Sequence, residues 1–271
     1  MPSRLRPRDA ATLILLRTDR GGPEILMGRR ACGHAFMPGK WVFPGGRLDR
    51  GDWHMAASTE LRPEVVAELL RGRCRPVASP ARLARALALA AVRETFEETG
   101  LVVGRPGAAR RHPPAGWSHF AATGFLPDLS HLAYLARAIT PPGRTRRFDA
   151  RFFLAPAEAL ASLEPADSHE LSEIRWFGLA DARTLDLPTV TRAVLDLVEA
   201  HAAGRPAPPA ILGLASPSRG LTPPGPRLVA APPRAGEAPH RRARRAHGPS
   251  GGPMRGERRR PRWRSDRSLG A

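Results

Sequence analysis

Apolar residues are grouped in short runs along the first half of the chain, in a pattern typical of buried strands. Residues 11–18, "ATLILLRT", form an apolar run closed by polar residues, which predicts a buried strand. The glycine-rich turn that follows indicates a hairpin partner at residues 24–30, "EILMGRR". Residues 41–46, "WVFPGG", predict a short strand that ends in a Gly-Gly turn.

The helix pattern is clearest at residues 80–99, where leucine and alanine recur at helical spacing. Ser79 suits the N-cap position, Pro80 suits the first helical position, and Gly100 provides the stop. A less regular helix is predicted at residues 62–71.

Strands and helices are mixed in the second half of the chain. Residues 131–139, 147–156 and 172–179 predict strands, and a further helix follows Pro188 and ends at Gly204. Strands and helices do not alternate strictly. The pattern therefore favours an α+β fold, or an α/β/α sandwich with a mixed sheet, over a doubly wound parallel sheet.

Hydrophobic periodicity disappears after Gly204. Residues 205–271 carry 15 arginines against 3 acidic residues, so most of the formal net charge of +18 belongs to this segment. It is rich in Arg, Pro and Gly and cannot bury enough apolar surface to order itself, which predicts a disordered tail. We therefore expect one domain at residues 1–204, followed by a tail at 205–271. The tail could bind RNA or an anionic lipid by charge alone. Its composition is also that of a GC-rich coding sequence.

Composition excludes several classes of protein. No run approaches eighteen apolar residues, so no membrane span is expected. Cys32 and Cys74 have no CxxC spacing, which argues against a disulfide framework or a zinc site. The apolar run near the N-terminus is too short for a signal peptide, and a cytoplasmic location is predicted.

Three acidic residues stand close together near the end of the clearest helix. Glu94, Glu97 and Glu98 lie at i, i+3 and i+4, so they project from one face and repel one another. Arg93 can neutralise part of this charge, and a divalent cation would neutralise the rest, because Mg²⁺ takes carboxylates, waters and phosphates as ligands. The alternative is a solvated acidic helix face. The apolar remainder of the helix and the upstream Gly-Gly turn favour a metal and diphosphate site.

Residues 93–101, "RETFEETGL", resemble the second half of the Nudix box, R-E-U-x-E-E-x-G-U, in which U is a bulky apolar residue. Thr95 occupies one of the apolar positions. Gly46 and Asp52 resemble the first half, G-x5-E, with an acid one methylene shorter. The resemblance implies a Nudix-type α/β/α sandwich and covers roughly residues 10–203.

The spacing between the two halves departs from the usual pattern. Residues 53–92, which number 40, replace the usual short spacer. Such a split box resembles one branch of the family, the peroxisomal-type coenzyme A diphosphatases and their bacterial relatives. The resemblance implies a helical insertion inside the box, at about residues 53–79. The insertion could carry acyl-group or pantetheine specificity, or be packed with no role in selectivity.

The resemblance also implies roles for the residues of the box. Glu97 and Glu98 would bind Mg²⁺ or Mn²⁺, and Glu94 would bind metal or act as general base on the attacking water. Arg93 would orient the glutamates. The loop at which helix and substrate meet would be shaped by Gly45 and Gly46. Whether Asp52 reaches the metal stays open.

Three residues outside the box are further candidates. Glu173 is a candidate for an additional metal ligand, because Nudix enzymes often supply an acid from outside the box. Arg29 and Arg30 are candidates for phosphate contacts. The alternative for each is a solvated position on a strand.

The implied activity is hydrolysis of the diphosphate linkage in a small nucleoside diphosphate derivative, with coenzyme A or acyl-CoA as the preferred substrate. A general ADP-ribose, dinucleotide or nucleotide diphosphatase is the close alternative. A non-catalytic Nudix module with an RNA-binding tail is a second class. The three glutamates argue against it, because a module without activity would be expected to have lost them. The oligomeric state does not follow from the sequence.

Overall fold

The apolar runs of the sequence form the central strands of one mixed sheet. A computed structural model describes residues 5–31, 33, 37–71, 79–108, 111–161, 170–205, 207–213 and 228–229. The strands are β1 (Arg8–Arg17), β2 (Glu24–Arg30), β3 (Trp41–Val42), β4 (Gly45–Arg47), β5 (Gly104–Pro106), β6 (Phe125–Pro127), β7 (Ala133–Ile139), β8 (Phe148–Pro156), β9 (Leu171–Gly178), β10 (Ala210–Gly213) and β11 (Leu228–Val229). The helices are α1 (Pro63–Leu70), α2 (Pro80–Thr99), α3 (Ser118–Ala122), α4 (Leu179–Thr184) and α5 (Thr189–Ala202), with 3₁₀ turns at Gly51–Trp53 and Ala157–Ala159.

Nine strands form the main sheet, in the order β11-β10-β7-β8-β1-β2-β3, with β4 paired to β1 and β9 paired to β2. The pairs β1–β8 and β7–β10 are parallel, and the other pairs are antiparallel. Strands β5 and β6 form a separate two-stranded sheet. The predicted mixed sheet is confirmed.

One edge of strand β1 pairs with two different strands, and this arrangement positions the site. The end of β1 pairs with β2, at Leu16 and Arg17, whereas residues 10–12 pair with β4. The Gly-Gly turn therefore lies beside the middle of β1. In addition, Leu13 donates its backbone N–H to the carbonyl oxygen of Pro44, at 3.0 Å.

Side chains of β1 alternate between two apolar layers, as the period of a strand requires. Leu13 and Leu15 join a cluster formed with α1 and α2, whereas Ile14 and Leu16 join a cluster formed with α4 and α5. Helices thus cover both faces of the sheet, and the predicted α/β/α sandwich is confirmed. The insertion contributes α1, as predicted, and residues 72–78 of it lie outside the described part of the chain.

The sheet continues past the predicted end of the domain. Residues 210–213 form β10, and Ala210 and Leu212 are buried against the α5 face. The expectation that regular structure stops at Gly204 is corrected at this strand, because its alternating apolar residues extend the edge of the sheet beside β7. The described residues belong to one unit, Met1–Pro232. Of the predicted tail, residues 205, 207–213 and 228–229 are described, and the others lie outside the described part of the chain.

No helix in the part of the chain that the structure describes is long and apolar enough to cross a membrane.

Candidate functional site

The last turn of α2 carries the acidic residues and ends as its sequence predicts. Gly100 adopts a left-handed conformation with φ 74°, and its N–H donates to the carbonyl oxygen of Phe96. The Thr95 mismatch is harmless, because Thr95 is fully buried and its hydroxyl donates to the carbonyl oxygen of Ala91, at 2.8 Å. Phe96 packs edge-on against Phe120, with ring centroids 5.2 Å apart, and so provides apolar contact near this position.

Arg93 joins the two halves of the box. Its Nε and Nη2 atoms donate to the two carboxylate oxygens of Asp52, at 2.8 and 3.1 Å. Its Nη1 atom contacts Glu94 at 3.0 Å and donates to Glu97 at 2.9 Å, and Nη2 also reaches the carbonyl oxygen of Arg47. Burial alone would lower the pKa of Arg93, but the hydrogen bond to Asp52 and the surrounding carboxylates hold it above its usual value. Arg93 is therefore a fixed cation.

Asp52 is fully buried, and its oxygens are occupied by four donors. Besides the two bonds from Arg93, Oδ1 accepts from the indole Nε1 of Trp117 at 3.0 Å, and Oδ2 accepts from the backbone N–H of Asp49 at 2.8 Å. Asp52 therefore positions Arg93, and its two carboxylate oxygens already accept these four hydrogen bonds.

The Gly-Gly turn meets the glutamates at close range. The backbone N–H of Gly45 donates to Oε2 of Glu98, at 2.9 Å. Gly46 lies directly against the carboxylate of Glu94, so that a Cβ at this position would overlap the carboxylate atoms. A Cβ at Gly45 would lie 2.6 Å from the carbonyl oxygen of Ala11. Both glycines are therefore required by close approach, and the predicted loop–helix contact is present across the insertion.

Acidic charge is in excess at this contact. The pKa of Glu94 is raised to about 7, mainly by burial. Arg93 lowers this pKa, whereas the negative charges of Glu97 and Glu170 raise it. Burial also raises the pKa of Glu98 to about 8, and Glu94 and Glu170 add to this against Arg30 and the Gly45 N–H. Burial raises the pKa of Glu97 as well. The cluster would be stabilised by additional positive charge.

Carboxylate oxygens are the ligands that Mg²⁺ and Mn²⁺ prefer. Among the described residues, no three acidic, histidine or cysteine side chains are arranged as a ready set of metal ligands. Mg²⁺ commonly takes only one or two carboxylates, together with waters and substrate phosphates. Glu94 and Glu98 fit this requirement, because Glu98 is buried, Glu94 is half-buried, and the charge of Glu94 is close enough to raise the pKa of Glu98.

Glu173 and Arg29 lie on the opposite face of the sheet from α2. They are opposed in the antiparallel β2–β9 ladder, and Arg29 is also opposed to Trp41, which belongs to the apolar layer beneath α5. Glu173 pairs with Arg175 at 2.6 Å, and the Arg29 guanidinium donates to the carbonyl oxygen of Gly39 at 3.3 Å. The structure therefore does not bring either residue to the glutamates, contrary to the expectation for an additional metal ligand and a phosphate contact.

Arg30, one of the predicted candidates, and Glu170, which was not one, are the residues of this region that lie near the glutamates. A shift of register between Arg29 and Arg30 marks a bulge in β2. Arg30 lies close enough to Glu98 to lower its pKa, and Glu170 raises the pKa of both Glu94 and Glu98. Glu170 precedes β9, so its side chain is not bound by the alternation of strand residues between the two faces of the sheet. That alternation directs Glu173 away from the glutamates.

Trp117 is a member of this network that the sequence does not reveal. It is fully buried and lies 65 positions from its acceptor, Asp52. No spacing rule connects a tryptophan to a carboxylate over such a distance. The available signal is general: a buried indole N–H needs an acceptor.

Comparison with known proteins shows the family of the chain. No family model matches the chain. The chain is similar to a Nudix hydrolase from Alicyclobacillus acidocaldarius whose crystal structure is known, with 31% sequence identity and a TM-score of 0.54. The similarity covers 71% of this chain and 91% of that one. The chain belongs to the Nudix hydrolase family.

A curated relative is similar over part of its length. The acyl-coenzyme A diphosphatase NUDT19 of Gallus gallus is 26% identical over 224 residues, which cover 65% of this chain and 56% of the relative. The chain thus spans about half the length of this relative.

Proposed function

We propose that this protein hydrolyses the diphosphate linkage of coenzyme A or acyl-CoA with the help of Mg²⁺ or Mn²⁺. The observation that carries the proposal is the contact between the two halves of the split box. Gly45 and Gly46 meet Glu98 and Glu94 although 40 residues, 53–92, separate Asp52 from Arg93. The insertion therefore leaves the site assembled.

Glu94 and Glu98 would hold the cation, with Glu97 beside them on the exposed side. A bound Mg²⁺ or Mn²⁺ neutralises phosphate charge and makes water a stronger nucleophile at neutral pH. The raised pKa values of Glu94 and Glu98 express the same need for a cation, since burial and like charge disfavour their ionised forms.

The chain's own groups perform the remaining tasks. Arg93 holds Glu97 at 2.9 Å and keeps it on the open side of the helix. The Gly45 N–H fixes Glu98, and the missing side chain of Gly46 leaves room for the Glu94 carboxylate against the turn. Arg30, on the Glu98 side, supplies positive charge for a diphosphate. Glu94 is the acid from which we expect assistance in removing a proton from the attacking water.

The substrate class rests on two observations. The split box of this chain resembles that of the coenzyme A diphosphatase branch, and the curated relative is named an acyl-coenzyme A diphosphatase. Nothing in the metal-binding turn itself reads the organic part of a substrate. A panel of diphosphates is therefore the direct test.

The experiment measures turnover of CoA, acyl-CoA, ADP-ribose, NADH, diadenosine polyphosphates and 8-oxo-dGTP with Mg²⁺ or Mn²⁺. We expect release of 3′,5′-ADP from CoA. Hydrolysis of ADP-ribose or dinucleotides without hydrolysis of CoA would replace the proposed substrate with the general one. Absence of turnover on the whole panel would favour a non-catalytic module.

A charge-removing variant tests the site. The double substitution Glu97→Gln and Glu98→Gln should lower metal-dependent turnover by about a hundredfold or more, because it removes two carboxylates from the metal-binding turn. Glu158→Gln, at an exposed position in the second 3₁₀ turn, is the matched control and should retain activity. Normal turnover in the double variant would refute the assigned roles.

A further inference from the structure

A groove lies beside the candidate site, on the side of α2 where Glu97 is found. Its volume is about 430 Å³, within the usual range of small-molecule pockets, about 300–1,000 Å³. It is lined by Arg50, Gly51, His54, His112, Pro114 and Ala115. No acidic side chain lines it, and one guanidinium and two imidazoles do.

The groove is adjacent to the box. A Cβ on Gly116, the residue that follows the last lining position, would lie 3.5 Å from Cδ of Arg93 and 4.0 Å from Oε1 of Glu97. Gly51 comes directly before Asp52, whose carboxylate binds Arg93. A ligand in the groove would therefore lie next to the exposed end of the glutamate cluster.

The groove lies between two segments, residues 50–54 (the first wall) and residues 112–115 (the second wall). Buried contacts hold the two walls together. Gly51 packs so tightly on the carbonyl oxygen of Ala115 that a Cβ would not fit. Trp117 follows the second wall in sequence. Its indole N–H donates to the carboxylate of Asp52, in the first wall, at 3.0 Å. The contacts that position Arg93 therefore also fix the spacing of the two walls, and the groove is preorganised for a ligand.

Its basic groups have no acidic partner among the described residues. Within the part of the chain that the structure describes, Arg50, His54 and His112 form no side-chain hydrogen bond or ion pair, and all three are exposed. A guanidinium with five donors, flanked by imidazoles, is well suited to a phosphate group. Such a group could accept charge-assisted hydrogen bonds from more than one of these side chains.

We propose that this groove binds a phosphomonoester of the substrate, at a position apart from the diphosphate that is cleaved. The inference rests on the proposed function. Coenzyme A carries such a group, the 3′-phosphate of its ribose, and dephospho-CoA lacks it. The groove would then select CoA over diphosphates that have no additional phosphate.

Binding of two nucleotides tests the inference directly. Isothermal titration with 3′,5′-ADP and with 5′-AMP compares ligands that differ in the 3′-phosphate. We expect the wild-type protein to bind 3′,5′-ADP at least about tenfold more tightly, the effect of one charge-assisted contact. In the double variant Arg50→Gln and His112→Asn, this preference should disappear while binding of 5′-AMP is unchanged.

A matched control and a kinetic assay complete the test. The variant Arg20→Gln and His119→Asn changes the same residue types at exposed positions outside the groove and should keep the preference. In turnover assays, Arg50→Gln with His112→Asn should lower kcat/KM for CoA by about tenfold and leave dephospho-CoA unaffected.

Each outcome distinguishes the inference from the proposed function. Equal binding of 3′,5′-ADP and 5′-AMP by the wild-type protein, or an unchanged preference in the double variant, would overturn the groove assignment. Inorganic phosphate bound as tightly as 3′,5′-ADP, and lost in the same variant, would make it a site for free phosphate and would also overturn it. Selective binding of 3′,5′-ADP without hydrolysis of CoA would support the groove and refute the proposed activity.

Discussion

Replacing Asp52 by asparagine should destabilise the protein strongly, because Asp52 is the buried acceptor that connects both halves of the box. The side chain is fully buried and receives N–H donors from Arg93, Trp117 and Asp49. Asparagine keeps the shape but removes the charge and turns an amide NH₂ group toward other donors. Arg93 stays buried and retains contacts only with the partly exposed Glu94 and Glu97 and with a backbone carbonyl oxygen.

The magnitude follows from this arrangement. Breaking one partner of a buried ion pair costs about 3–5 kcal/mol. Because Arg93 keeps two carboxylate neighbours, we expect about 3 kcal/mol for Asp52→Asn. For a domain of this size, 1 kcal/mol lowers the melting temperature by about 2–4 °C, so the expected loss is about 6–12 °C. Trp117→Phe removes a single donor and should cost about 1 kcal/mol.

Thermal and urea unfolding of the variants measures these values. Asp49→Asn is the control, because the Asp49 side chain is 53% exposed and lies 3.8 Å from Arg47, so its loss should change stability by less than about 1 kcal/mol. The double variant of Asp52 and Trp117 should be less destabilised than the sum of the single variants, since the two residues share one hydrogen bond. If Asp52→Asn unfolds like Asp49→Asn, the network does not hold the two halves together.

Three further predictions concern metal, backbone and sheet edge. Because the pKa values of Glu94 and Glu98 are raised to about 7 and 8, their contribution to stability is fully present below the ordinary glutamate value of 4.5 and is lost as the pH rises through 7 and 8. In EDTA the melting temperature should therefore fall between pH 5 and 8.5, and Mg²⁺ should raise it more at pH 8 than at pH 5.5; equal increases would contradict this. Gly46→Ala should reduce turnover by about a hundredfold with a retained circular dichroism spectrum, because its Cβ displaces the Glu94 carboxylate, whereas Gly22→Ala has open space and should be active. Leu212→Ala should lower the free energy of unfolding by about 2–5 kcal/mol, unlike Leu5→Ala at an exposed position, and a small effect would show that β10 adds little to the domain.

The chemistry of α2 could be predicted because it is local. The positions of Glu94, Glu97 and Glu98 follow from helical spacing alone, and Gly100 ends the helix by its conformation. The strands were predicted from apolar runs for the same reason. Local periodicity therefore accounted for the layers of the fold and for the shared face of the three glutamates, whereas the box was identified by its resemblance to a family motif.

Contacts between distant segments were not predictable in the same way. Glu173 was a reasonable candidate by sequence position, but whether a strand residue faces α2 depends on register, and a shift of one residue reverses the face. The bulge between Arg29 and Arg30 decides which arginine approaches Glu98. Strand β10 was missed because four residues give too short a periodic signal.

The insertion is compatible with an intact site because the box is held by tertiary contacts and not by chain continuity. Each doubling of a flexible spacer costs only about 0.6 kcal/mol in closure entropy. The insertion recovers more than this by packing, since Leu61, Val65 and Leu69 are buried in the same apolar layer as α2.

A polar contact fixes the insertion as well. Thr59 hydrogen-bonds to the buried Asp128, and its hydroxyl also accepts the N–H groups of Leu129 and Ser130. Burial would raise the pKa of Asp128, but hydrogen bonds from Ser130, Thr59 and Arg105 hold it well below its usual range. This part of the insertion is thus packed against the domain, and Thr59 attaches it to the charged carboxylate of Asp128. Any selectivity that the insertion contributes through His54 would come from a fixed wall of the groove, and not from a change in the charge of Asp128 near neutral pH.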